Sequence, residues 1–199
     1  MQGYLNTPND KEALQIKKHI LQIAIILFSK KGYYNSTFEE LSKIADINIE
    51  SLYQIYNDKK DLFYECFEIY INRLKKELAL DSLGSLNRKD RVVSQLINNY
   101  FKAYKVMPEF QKQIMAVGMT NNDFSKHISS FESEIQGHLS RALTNWGREL
   151  KAVDIYVAAF FIHNILESTI TKAIFNEMRI LDENLKKELF DLIYNYLFV

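Results

Sequence analysis

The stretch ADINIESLYQIYNDKKDL at residues 45–62 combines polar, aromatic and basic side chains that can do recognition chemistry. On a helix that enters the major groove of DNA, Gln54 offers a paired donor and acceptor to adenine, and Ile49 can touch a thymine methyl group. The Tyr53 hydroxyl can reach a phosphate. Lys59 adds a positive charge at the start of the next predicted helix, where the helix N-terminus also attracts anions. This spacing is compatible with a reading segment between phosphate contacts.

The same residues also fit an ordinary structural role. Tyr53 and Tyr56 can lie at the edge of a core, and Lys59 and Lys60 can be a solvated surface pair. The formal net charge is zero, so nucleic-acid binding requires a local basic surface. The lysines that would have to share that surface are Lys17, Lys18, Lys43, Lys59 and Lys60.

Apolar residues recur at helical spacing along most of the chain, and only 6 Gly and 2 Pro interrupt it. A first helix ends at Lys30, Lys31 and Gly32. A short second helix begins after Ser36 or Thr37 and ends near Ala45. Asp46 must then accept a positive φ in the turn, and Asn48 caps a second short helix over residues 48–56. This is the pattern of a helix-turn-helix unit.

The rest of the chain predicts longer helices. Residues 79–87 have weak periodicity and predict a linker, with the next helix starting at Asn87 or Asp90 and ending at Pro108. A further stripe runs from Phe124 to Trp146, and two helices follow over 152–176 and 183–198. We therefore predict an all-α protein with a helix-turn-helix domain at 1–78 and a helical effector-binding and dimerisation domain at 79–199.

The segment from Ile20 to Leu62 resembles the N-terminal DNA-binding domain of TetR-family transcriptional regulators. The matching residues are Ala24, Leu27, Phe28, Gly32, Tyr33, Thr37, Leu41, Ala45, Ile47, Leu52, Tyr53, Tyr56, Lys59 and Leu62. The family usually has glycine at Asp46, serine or threonine at Asn48, and a small residue at Glu50. A carboxylate at Glu50 either repels phosphates or accepts a hydrogen bond from cytosine N4.

The resemblance implies a sequence-specific regulator, a ligand-responsive repressor that binds a palindromic double-stranded DNA operator as a homodimer. In the family, the positions of Tyr53 and Lys59 contact the DNA backbone. The predicted DNA-binding residues are Thr37, Asn48, Ile49, Glu50, Ser51, Tyr53, Gln54 and Lys59. The apolar helices 152–176 and 183–198 are the predicted dimer surface, although they could instead complete a monomeric core.

A small, largely apolar effector is expected to bind in the C-terminal domain. The candidate residues are aromatic, flexible or polar side chains that could equally form an ordinary core. They are Tyr100, Tyr104, Met107, Met115, Met119, Phe131, Trp146, Phe160, His163, Asn164 and Glu167.

Other chemistry has little support in the sequence. Cys66 is interpreted as a small core residue, and His127 and His138 are too far apart on one helix to share a metal. We expect no cofactor, no membrane span and a cytoplasmic location. An all-helical enzyme would depend on His163 and Glu167 alone, so we do not expect an enzyme. The main alternative is a protein of the same fold that has lost DNA binding and binds a partner.

Overall fold

The computed structural model describes residues 8–151, 154–175 and 182–198. These residues form helices and no strand, which confirms the predicted all-α class. The helices are α1 (Pro8–Lys31), α2 (Phe38–Ala45), α3 (Ile49–Ile55), α4 (Lys59–Leu78), α5 (Lys89–Tyr104), α6 (Pro108–Thr120), α7 (Asn122–Thr144), α8 (Ile155–Phe175) and α9 (Asp182–Phe198), with a 3-10 helix at Leu80–Ser85.

The described residues form two compact units. The first unit contains the chain up to Tyr70 together with Glu109–Thr120, and the second contains Ile71–Pro108 and the chain from Asn121 onward. The assignment of Glu109–Thr120 to the first unit differs from the predicted division at residues 78 and 79. That sequence-based division stays a prediction.

In the first unit, α1 packs against α2, and α2 packs against α3. Leu41 of α2 and Leu52 of α3 are buried between these helices. From α6, the Phe110 ring lies 5.5 Å from the Phe63 ring, centroid to centroid. The other fully buried side chains of this core include Ile20, Ala24, Leu62 and Cys66.

The turn between α2 and α3 depends on a left-handed residue. Asp46 has φ 53° and ψ 47°, as the sequence predicts, and its backbone N–H donates to the Ser42 carbonyl oxygen. The Ser42 hydroxyl also donates to the Ile47 carbonyl oxygen across 2.6 Å. Asn48 Oδ1 then accepts from the Glu50 backbone N–H at 2.9 Å and caps α3. These local bonds fix the direction in which α3 leaves the turn.

In the second unit, α7 and α5 both pack against α8, and α9 packs against α5. The predicted linker at 79–87 is wrong in part, because it contains the 3-10 helix with Leu80 and Leu83 buried. Two leucines three residues apart share one face of a 3-10 helix, which has three residues per turn. The buried Asn99 side chain donates to the Leu78 carbonyl oxygen at 2.8 Å and satisfies the end of α4.

Helix ends elsewhere differ slightly from the predicted ones. α5 begins at Lys89 and ends at Tyr104, before Met107, and α7 ends at Thr144, before Trp146. Residues 152, 153 and 176, at the edges of the predicted 152–176 helix, lie outside the described residues. Among the helices that are described, none has the length and apolar character needed to cross a lipid bilayer.

Candidate nucleic-acid interface and bundle site

The helix α3 has one buried side and one exposed side. Leu52 is 0% exposed and Tyr56, just after the helix, is 3% exposed, so both anchor α3 to the first unit. The Tyr56 hydroxyl donates to Glu65 of α4 at 3.1 Å and braces the end of α3. On the other side, Tyr53 is 54% exposed and Gln54 is also exposed. A helix held in this way presents its polar side chains outward on a rigid support.

The eight predicted DNA-binding residues are all at least partly accessible. Thr37, Asn48, Glu50, Tyr53 and Gln54 are exposed, and Ile49, Ser51 and Lys59 are half-buried. Two of them also have local structural roles: Thr37 Oγ1 accepts from the Glu40 backbone N–H at 3.2 Å, and Asn48 caps α3. The Tyr53 ring packs 5.1 Å from the Phe38 ring, centroid to centroid, which orients the side chain.

The Lys59 ammonium group has partners within the protein. Nζ donates to the carbonyl oxygens of Tyr33 and Ser36, each at 2.7 Å, and lies 4.6 Å from the centroid of the Tyr33 ring. Partial burial lowers the pKa of Lys59 from its usual value. The side chain therefore closes the connection between α1 and α2, a role that was not foreseen. The predicted contact with a DNA phosphate stays a prediction.

Charges near α3 are partly neutralised. Lys17 forms a 2.7 Å ion pair with Glu65, which removes one of the five lysines expected to form a basic surface. At the start of α4, Asp58 Oδ1 accepts from the Asp61 backbone N–H at 2.9 Å, so a carboxylate already lies at this helix N-terminus. Glu50 remains exposed on α3 itself. Electrostatic attraction to DNA is therefore modest in this region.

A buried hydrogen bond joins α5 and α8 in the second unit. The Tyr100 hydroxyl and His163 Nδ1 are 2.9 Å apart, and the two side chains are 0% and 2% exposed. Burial lowers the pKa of His163 to about 4, so the ring is neutral near pH 7. His163 Nε2 is buried with no hydrogen-bond partner. The pair thus leaves one imidazole nitrogen available inside the bundle.

Two carboxylates accompany this pair. Glu167 lies one turn after His163 on α8, and burial, followed by the charge of Glu132 on α7, raises the pKa of Glu167 to about 7. Burial also raises the pKa of Glu132. The charge of Glu167 acts in turn on Tyr100, because it contributes after burial to raising the pKa of that hydroxyl. The four side chains therefore form one electrostatically connected cluster, called the bundle cluster below.

The predicted effector residues divide into two groups. The structure brings together Tyr100, Tyr104, His163 and Glu167, with the Tyr104 ring stacked 5.9 Å from the Tyr100 ring, centroid to centroid. Met107 and Phe131 are half-buried in the same unit. The remaining predicted residues are placed differently: Trp146 packs against Phe198, Phe160 and Asn164 are exposed on α8, and Met115 and Met119 are exposed on α6 in the first unit. Glu132 was missed, and no local pattern distinguishes it from a surface glutamate.

A separate cavity of about 380 Å³ lies between the end of α4, the 3-10 helix and α7. On its rim, His138 Nδ1 is 2.9 Å from Asp81 Oδ1, and Lys75 Nζ is 2.7 Å from Glu134 Oε2. Neither contact follows from a local pattern in the sequence. His127 Nδ1 donates instead to the Asp123 carbonyl oxygen at 2.8 Å. Across the described part of the chain, no three metal-ligating side chains converge.

The outer side of α8 and α9 is apolar and exposed. A small groove of about 120 Å³ is lined by Phe161, Ile162, Ile165, Leu192, Ile193 and Tyr196. Phe161 is 48% exposed, and its ring lies 6.4 Å from the Tyr196 ring, centroid to centroid. Tyr156, Val157, Phe160 and Leu192 add further exposed apolar surface. A contiguous surface of this kind is typical of a protein–protein interface.

Comparison with known proteins agrees with this architecture. A sequence model of the family described as "Bacterial regulatory proteins, tetR family" matches residues 20–66. The HTH-type transcriptional regulator AcrR of Shigella flexneri is 36% identical over 59 residues, which are 30% of this chain and 27% of AcrR. The negative transcriptional regulator IcaR of the biofilm operon icaADBC in Staphylococcus aureus (strain Newman) is 28% identical over 131 residues, covering 60% of this chain and 70% of IcaR.

Solved structures show the same fold over nearly the whole chain. A TetR transcription regulator from Haloarcula marismortui has a TM-score of 0.76 at 12% identity, covering 92% of this chain and 99% of that one. The TetR-family regulator PfmR from Thermus thermophilus has a TM-score of 0.69 at 16% identity, covering 88% and 97%.

Together, the capped turn, the exposed α3 and the helical second unit define an all-α helix-turn-helix protein. The resemblance predicted from the sequence is confirmed: residues 20–66 match the DNA-binding domain of the TetR family, and the described helices have the fold of solved TetR-family structures.

Proposed function

We propose that this protein is a sequence-specific DNA-binding transcriptional regulator of the TetR family that represses as a homodimer and responds to a small effector. The observation that carries the proposal is the geometry of α3. Its inner side is anchored by Leu52 and Tyr56, while Tyr53 and Gln54 project from the exposed side. This geometry suits a recognition helix in the major groove, with Gln54 at a base edge and Tyr53 at the backbone. The relatives AcrR and IcaR are a transcriptional regulator and a negative transcriptional regulator, which supports the same proposal.

Dimerisation supplies the second recognition helix. Two-fold dimers place recognition helices on half-sites about 34 Å apart, which explains why such operators are palindromic. The exposed apolar surface of α8 and α9, centred on Phe161 and Tyr196, supports this assembly because a monomer would leave it in water. A stable interface would bury about 800 Å² on each partner.

The effector site is proposed at the bundle cluster. Tyr100, His163 and Glu167 combine buried aromatic surface with polar groups that can orient a ligand. An effector alters DNA affinity only if it binds the DNA-bound and free conformations differently. For a repressor, we expect the effector to favour the conformation with lower DNA affinity.

The alternative is a TetR-fold protein that has lost DNA binding and acts through a protein partner. Three observations favour it: Glu50 is exposed on α3, Lys17 is paired with Glu65, and the Lys59 ammonium group donates within the protein. Each of these reduces the positive charge available to phosphates.

Selection of bound sequences from a random duplex DNA library distinguishes the two functions. The full-length chain is incubated with the library at low salt, and the retained duplexes are amplified and sequenced. A regulator enriches a palindrome whose half-sites are about one helical turn apart. Failure to enrich any sequence would contradict the regulator and support the partner-binding alternative.

A further inference from the structure

The bundle cluster contains carboxylates that lack a cationic partner. Neither Glu132 nor Glu167 forms an ion pair with Lys, Arg or His in the described part of the chain, and both side chains are half-buried. Burial, followed by the charge of Glu132, raises the pKa of Glu167 to about 7, because no cation stabilises its charged form. Two half-buried carboxylates that interact electrostatically are stabilised in their charged forms when a bound cation balances them.

His163 provides an independent observation at the same place. Its ring is 2% exposed, its Nδ1 is bonded to Tyr100, and its Nε2 has no partner. Buried polar atoms are rarely left unsatisfied in folded proteins. His163 and Glu167 are four residues apart on α8, so their side chains lie on the same face of that helix. The unpaired nitrogen and the unpaired carboxylate therefore belong to one site.

We propose that the effector of this protein is an organic cation, a protonated amine on an apolar body, and that Glu132, Glu167 and His163 bind the amine. This inference rests on the proposed effector site and specifies the class of ligand that the site takes. A primary ammonium group has three N–H donors, and the site offers two carboxylates and one imidazole nitrogen. The aromatic faces of Tyr100 and Tyr104 would contact the apolar body and attract the positive charge.

The protonation state of His163 fits this arrangement. A neutral imidazole carries one proton, and with that proton on Nδ1 the ring donates to the Tyr100 oxygen. Nε2 then presents a lone pair, which accepts from an ammonium group. An anionic ligand would instead meet two carboxylates, and a neutral apolar ligand would leave the carboxylates and Nε2 unsatisfied.

Binding of a cation should release protons. An ammonium group beside Glu167 stabilises its charged form and lowers its pKa below the value of about 7 in the free protein. Near pH 7 Glu167 is partly protonated in the free protein, so its complete ionisation releases a fraction of a proton per bound ligand. An anion or a neutral ligand would not produce this release.

Calorimetric titration of the full-length protein, without DNA, tests the proposal with three matched probes. 4-Phenylbutylamine, 4-phenylbutanol and 4-phenylbutyrate share an aromatic ring and a four-carbon chain but carry a positive, neutral or negative end group. Each is titrated at pH 7 in phosphate and in Tris, because the difference in heat between buffers counts the protons released. Glu167→Gln and Glu132→Gln are compared with the control Glu134→Gln. Glu134 lies on α7, as Glu132 does, but its carboxylate is already paired with Lys75 of α4.

The amine should bind at least about tenfold more tightly than the alcohol and the carboxylate, since charge-assisted hydrogen bonds are the stronger ones. Glu167→Gln and Glu132→Gln should each weaken amine binding about tenfold, and Glu167→Gln should abolish proton release, whereas Glu134→Gln should leave both unchanged. Equal binding of amine and carboxylate, absence of amine binding, or unchanged amine binding by Glu167→Gln would overturn the proposal.

The outcome is separable from the proposed function. A protein that binds the amine through Glu167 but enriches no DNA sequence would keep the ligand class and contradict the DNA-binding regulator. If the protein enriches a palindrome but releases this DNA when the carboxylate or the alcohol binds, the proposed regulator would stand and the proposal of a cationic effector would be overturned.

Discussion

The ammonium group of Lys59 donates to the backbone oxygen of Ser36 across 2.7 Å. Lys59 is the first residue of α4, and Ser36 lies in the connection that leads into α2. The same group also donates to the Tyr33 carbonyl oxygen. A residue expected to contact DNA thus first holds together the loop that precedes the helix-turn-helix. Its removal should affect folding as well as DNA binding.

Lys59→Met should lower the free energy of unfolding by about 1–3 kcal/mol, because two carbonyl oxygens lose a charged donor. Chemical denaturation measures this loss. Lys60→Met is the matched control, since Lys60 contacts only the face of the Tyr64 ring among its described partners. Equal stability of the two variants would contradict the bracing role. If Lys59 also contacts a phosphate, the salt slope of DNA binding should fall by about one.

Asp46→Gly should stabilise the protein by about 0.5–1 kcal/mol, because glycine adopts a positive φ without the steric cost of a side chain. Ala45→Gly, at the last residue of α2, should do the opposite. Thermal unfolding of both variants tests whether the first melting temperature rises and the second falls relative to the parent. A lower melting temperature for Asp46→Gly would show that the aspartate side chain stabilises the turn.

Phe161→Glu should convert the proposed dimer into a monomer. The substitution places an unpaired charge within the exposed apolar surface of α8 and α9, and burying it would weaken association at least about a hundredfold. Sedimentation velocity reports the assembly state. Ile26→Glu, at an exposed apolar residue of α1, should leave it unchanged. A dimer that survives Phe161→Glu would place the interface elsewhere.

Glu167 should make stability depend on pH. Its folded pKa of about 7 lies above the unfolded value, so between about pH 4.5 and pH 7 the folded protein binds more protons than the unfolded chain. The contribution of Glu167 to the free energy of unfolding therefore falls as pH rises through this window, and it stays constant above the window. Glu167→Gln removes this pH dependence. The free energy of unfolding of the variant should therefore exceed that of the parent by about 2 kcal/mol at pH 8, and the two should be equal at pH 4.5. Glu183→Gln, at an exposed position, should show no such difference.

The sequence predicted well the features that depend on neighbouring residues. The left-handed Asp46 and the Asn48 cap follow from local propensity and spacing, and Thr37 is one of the two residues predicted to begin α2. The burial of Tyr56 also follows from its position one turn after Leu52, which places it on the same face of the helix.

Contacts between distant segments were not predictable from local patterns. Nothing near Lys59 indicates that its ammonium group turns toward Tyr33 and Ser36, more than twenty residues earlier. The linker prediction at 79–87 missed the 3-10 helix because its stability comes from burying Leu80 and Leu83 in the second unit. Glu132 belongs to the candidate site because α7 packs against α8, a contact that no local pattern near Glu132 indicates.

The most direct test of the exposed reading helix is the base preference of Gln54→Ala. Binding is measured for the parent and the variant on the selected operator and on duplexes that carry every base pair at each position. If Gln54 contacts a base edge, the variant loses discrimination at one symmetric base pair by about 1–3 kcal/mol and keeps it elsewhere. An equal loss of affinity on every duplex would contradict the proposal that the exposed side of α3 reads the DNA sequence.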